Sequence, residues 1–94
     1  MSNRKTLKKN IYKTMDLLYA DCLFYQLFVV DADQEAAEKV MSHIDEIQEE
    51  FIKRVNVNEG REVKGRVKAY YKKLETDFRD EINKIAKEIE ALGE

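Results

Sequence analysis

No proline interrupts these 94 residues, and glycine occurs only three times. Proline lacks an amide donor and clashes with the preceding turn of a helix, so a chain without it is free to run in long helices. At the average usage of about 5%, roughly five prolines would be expected in a chain of this length. Charged residues make up 38% of the sequence and apolar residues 44%. That balance suits slender helices, each with one buried stripe and a broad solvated face. It does not suit disorder, because the apolar positions are regular and well populated. Residues 1–94 are read as a single helical-bundle domain.

Three apolar stripes at helical spacing follow one another. Leu7, Ile11, Met15, Leu18, Cys22, Tyr25 and Val29 recur at three- and four-residue steps and place a first helix over about 4–30. From Leu17 onward, Leu17, Leu23, Phe24, Leu27 and Phe28 fill the neighbouring faces as well. Asp31 followed by Gln34 resembles a capping box, so Asp31 is the expected N-cap of a second helix over 34–56. Its stripe is Ala37, Val40, Met41, Ile44, Ile47, Phe51, Ile52 and Val55. The run Asn56-Val57-Asn58-Glu59-Gly60 reads as a loop, with Asn58 the expected cap of a third helix over 59–92. Gly60 and Gly65 weaken the start of that helix by about 1 kcal/mol each relative to alanine. Short connections imply antiparallel neighbours, hence an all-α, up-down-up three-helix bundle forming a rod about 35–45 Å long. Leu74, Phe78 and Ile82 are spaced by two successive steps of four, which breaks a heptad and favours a bundle over a sustained coiled coil.

That topology sorts the charges. The end holding residues 1–16, 45–58 and 59–76 takes thirteen bases and eight acids, and the far end takes four bases and eleven acids. A segregated surface of this kind can serve as a solvated coat, as an anion- or acidic-partner-binding end, or as a guide for association of a basic end against an acidic one. The anion-binding patch would be Arg61, Lys64, Arg66, Lys68, Lys72 and Lys73, with Tyr70 as the candidate for stacking on a base.

Most chemistries lack their residues. A carboxylate-bridged metal site needs a Glu-x-x-His pair on each of two helices, yet His43 is the one histidine and Val40 stands three residues before it. His43 and Cys22 fall on different helices, so no metal and no cofactor is expected. His43 is expected at the edge of the core beside Val40 and Ile47. Cys22 sits among apolar neighbours that disfavour a thiolate, and no glycine-rich phosphate loop exists. The polar, basic start followed by fourteen mostly apolar residues from Leu17 to Val30 is too short to cross a membrane. Asp21 interrupts that run, and no small-residue cleavage site follows it, so a signal peptide is not indicated. Together with a lone cysteine, these features fit a cytoplasmic protein. Asp21 itself, flanked at helical spacing by Leu17, Leu18, Phe24, Tyr25 and Phe28, reads as a buried carboxylate paired with a base or tyrosine of another helix, such as Arg79 or Lys84, as an edge position, or as part of an interface.

The stretches Asp16-Leu17-Leu18-Tyr19-Ala20-Asp21-Cys22, Ile47-Gln48-Glu49-Glu50-Phe51-Ile52-Lys53-Arg54-Val55 and Val67-Lys68-Ala69-Tyr70-Tyr71-Lys72-Lys73-Leu74 resemble a group of short, all-helical, uncharacterised proteins of gut Bacteroidales. The resemblance implies a compact helical domain and carries over no catalytic or binding residue. The functional expectation is a non-enzymatic interaction module that pairs with itself or with another protein. Two neighbours cannot cover every apolar face late in the first helix, which leaves Leu23, Leu27 and Val30 for a homodimer. The alternative expectation is nucleic-acid or polyanion binding by the basic end.

Overall fold

The computed structural model describes the backbone of residues 4–56 and 64–93 and the side chains of 5–56 and 68–93. It is an all-α three-helix bundle: α1 spans Arg4–Phe28, α2 Gln34–Asn56 and α3 Lys64–Leu92. The loop around Asn58 and the turn expected at 59–63 lie outside the described residues. Helix order is up-down-up. Leu7 and Ile11 at the start of α1 share a groove with Leu74, Phe78 and Ile82 of α3, while Tyr25 and Val29 at its other end lie near Ala91 and Leu92. The extents are 54 × 19 × 19 Å. Twenty-nine residues of α3 rise only about 43 Å, so the helices are staggered along the axis and the rod is longer than expected.

Helix α2 is the central element. Its one apolar stripe, Val40, Ile44, Ile47, Phe51 and Val55, is buried against Leu7, Ile11, Met15 and Cys22 of α1 and against Leu74 and Ile85 of α3. The α1–α3 seam is the sparsest of the three. Phe51 meets Phe78 across the α2–α3 seam with ring centroids 5.2 Å apart. The guanidinium of Arg54 lies 4.8 Å over the outer side of the Phe51 ring.

The corner between α1 and α2 differs from expectation. Helix α1 ends at Phe28, two residues early, where the β-branched pair Val29-Val30 lowers helix propensity. The amide of Ala32 donates to the Val29 carbonyl (3.3 Å), closing a turn in which Asp31 takes φ 60°. An N-cap has extended backbone, so Asp31 cannot fill that role. Asp33 fills it instead: its Oδ1 accepts from the amide of Ala36 at 3.0 Å. The Asp33 amide in turn donates to the Tyr25 hydroxyl (2.7 Å), and Gln34 donates its side-chain amide to the Gln26 carbonyl (3.1 Å). These bonds fix where α2 starts on the end of α1.

Candidate functional site

Helix α1 has two apolar faces and only one of them is covered. Leu17 and Phe24 lie two residues after the buried Met15 and Cys22, hence about 200° around the helix from them. With Leu23, Leu27, Phe28 and, just past the helix end, Val30 they form an apolar surface turned away from the core, with exposures from 40% at Leu23 to 87% at Val30. Phe24 and Phe28 stack on one another with centroids 5.7 Å apart and planes 25° from parallel. Side chains of this size place on the order of 700 Å² of apolar area in water, above the roughly 300–600 Å² of the largest patch on an ordinary monomer. Leu23, Leu27 and Val30 belong to this surface, as expected. Its centre is the Phe24–Phe28 pair, which the choice of those three residues missed. Rotating the helix by 100° per residue finds it, because 17, 20, 24 and 27 are spaced as one face opposite the core.

Asp21 is on this outer side and is exposed. It has no buried partner: Lys84 instead pairs with Glu81 at 3.3 Å, and no charged residue is buried among the described residues. The buried pair is corrected in favour of the edge position: of the flanking residues, Leu17, Phe24 and Phe28 belong to the face that no helix covers, while Leu18 packs against the core. Cys22 is fully buried, as expected. Burial, then the nearby charges of Asp21 and Glu88, push its thiol up from the ordinary value, which makes it a poor nucleophile near neutral pH.

At the basic end, Lys68 and Lys72 are exposed. Arg61 and the side chains of Lys64 and Arg66 lie outside the described residues. Lys73 pairs with Asp77 at 3.2 Å, and Asp77 also receives Arg54 at 3.0 Å. These two hydrogen bonds hold the Asp77 carboxyl below the ordinary carboxylate range, Arg54 contributing most. Tyr70 is half-buried against the core, its ring edge-on to Tyr71 at a centroid distance of 5.4 Å. Its hydroxyl donates to the Arg54 carbonyl (2.8 Å), and Tyr71 donates to the Val55 carbonyl (3.1 Å). Carbonyls in the last turn of a helix have no partner within it, so the two tyrosines close the end of α2.

His43 sits half-buried at the α2–α3 seam, with Nδ1 2.9 Å from Glu88 Oε2 and Nε2 4.0 Å from Glu81 Oε1. An ionised carboxylate can only accept, so Nδ1 donates. Among the described residues no group of three or more His, Cys, Asp or Glu side chains is placed to hold a metal, and no helix is long and apolar enough to cross a membrane. Comparison with protein-family models, with curated proteins and with solved structures finds no match for this chain.

Proposed function

We propose that this chain is a non-enzymatic helical interaction module that self-associates through the outer face of α1. One observation carries the proposal: a contiguous exposed apolar surface, centred on Phe24, Leu27 and Phe28, lies opposite the buried stripe of the same helix. Covering such a surface is the largest gain in free energy still open to the folded molecule, at about 25 cal/mol per Å² removed from water. A symmetric dimer covers it on both copies with one contact. Sedimentation equilibrium tests this directly. The native chain is expected at twice its 11.1 kDa in the high micromolar range, and Leu27→Glu at the monomer mass with an unchanged helical circular dichroism spectrum. A native chain that stays monomeric at those concentrations overturns the proposal.

A further inference from the structure

The outer stripe of α1 is complementary to its own reverse. Taken in alternating steps of four and three from Lys13, it runs Lys13, Leu17, Ala20, Phe24, Leu27 and, in the turn just past the helix end, Asp31. This spacing is the seam of a two-helix coiled coil. Laid antiparallel on a copy about a twofold axis level with position 22, the seam sets Leu17 against Leu27 of the partner subunit. The same axis sets the small Ala20 against the large Phe24 of the partner subunit, and Lys13 against Asp31 of the partner subunit. A parallel pairing places Lys13 on Lys13 and Asp31 on Asp31, and leaves a gap where two alanines face each other. Like charges directly opposed oppose association, and unfilled volume at a seam forfeits contact.

A second observation agrees with the antiparallel order. A shallow, largely apolar groove lined by Lys9, Tyr12, Lys13, Asp16 and Leu17 continues the outer stripe towards the start of α1. At the other end of the stripe stand the exposed Phe28 and Val30. The same axis brings position 28 opposite 16 and position 30 opposite 14, so the apolar projections of each copy enter the groove of the other. Lys13 on the groove rim then stands level with Asp31 of the partner subunit. Asp21, exposed on the flank of the stripe, approaches its own copy once in this order. A parallel order instead sets Asp16 against Asp21 twice, so the acids on the flanks also favour the antiparallel arrangement.

We infer that two copies associate antiparallel along the second half of α1, in register about position 22, an inference that rests on the self-association proposed above. The pairing has a consequence for the assembly. It sets Asp31, at the acidic end of each rod, beside Lys13 of the partner subunit and sends the two basic ends in opposite directions. Lys5 is seventeen residues from the axis, so its two copies stand about 50 Å apart at 1.5 Å per residue. In a parallel pair they would be separated by little more than the interaxial distance, about 10 Å.

A spin label on Lys5→Cys, read by pulsed electron paramagnetic resonance, separates the two arrangements. Cys22 is buried and escapes labelling at neutral pH, and a Cys22→Ala background serves as control. Dimeric protein with a label separation near 50 Å is the expected result. A dimer with labels closer than about 25 Å overturns the antiparallel order and leaves self-association standing, whereas a monomeric native chain removes both. Charge exchange tests the register. Lys13→Asp and Asp31→Lys each weaken the dimer about three- to tenfold, two symmetry-related pairs being affected, and both changes in one chain restore it. Failure of the double variant to recover, with helicity retained, overturns the register.

Discussion

The inner and outer faces of α1 are close in composition and opposite in fate. Ile11, Met15 and Cys22 on the inner face are fully buried, while Leu17, Phe24 and Leu27 on the outer face are among the most exposed large apolar residues described. What separates them is topology. Helix α2 lies on the inner face and is itself central, and α3 docks mainly on α2, so nothing in the described chain reaches the outer side of α1. Apolar content therefore does not say which face is core. The difference teaches that coverage by a neighbouring helix decides which face becomes core, and it leaves the outer face open to the contact proposed above.

Truncation on the two faces gives the largest expected effect and the sharpest contrast. Ile11→Ala removes a fully buried side chain and should cost roughly 2–5 kcal/mol of unfolding free energy. Leu27→Ala, at 74% exposure, should change monomer stability by less than about 0.5 kcal/mol while weakening the dimer several-fold. Urea denaturation at low protein concentration, beside sedimentation at high concentration, measures the two quantities separately. Equal losses of monomer stability would break the comparison by showing that Leu27 is already packed within the fold.

Much of this division was written in the sequence, and the parts that were not have physical reasons. The three helices and the inner stripe follow from spacing alone, because periodicity needs no knowledge of neighbours. Spacing alone leaves Asp21 between a buried pair and an edge position, because linear spacing cannot say how many faces of a helix will be covered. Tyr70 looked free because Tyr71 fitted the stripe, yet both hydroxyls close the end of α2. His43 lies at the edge of the core, where its spacing from Val40 and Ile47 puts it. Its partner Glu88 lies forty-five residues away, and no local signal joins the two.

The corner that ends the outer face holds two aspartates of similar appearance and different duties. Asp33→Ala removes the acceptor of the Ala36 amide and should cost about 1 kcal/mol. Asp31→Gly should be neutral or stabilising in the monomer, since a positive φ suits glycine, yet it removes the acid proposed to meet Lys13 and should weaken the dimer. Thermal unfolding and sedimentation of the pair distinguish them. A monomer destabilised as much by Asp31→Gly as by Asp33→Ala would mean that the cap is shared.

The smallest expected effect concerns how covered faces are closed at their rims. Over the core, Arg54 lies across Phe51 and is held by Asp77, and the outer face of α1 has no such lid. Because Arg54 and then Lys73 hold the Asp77 carboxyl below the ordinary range, Asp77 stays charged in the folded chain to lower pH than in the unfolded one. Its contribution is complete above the unfolded carboxylate value and is lost as the pH falls through the folded one, beginning near pH 4. Asp77→Asn should therefore lower the urea midpoint slightly at pH 7, and the gap to the native chain should narrow as the pH falls below about 4. Burial of Phe24 and Leu27 involves no proton, so adding Leu27→Glu at pH 7 should leave that small difference unchanged. A difference that grew on acidification would reverse the sign and remove Asp77 from the rim.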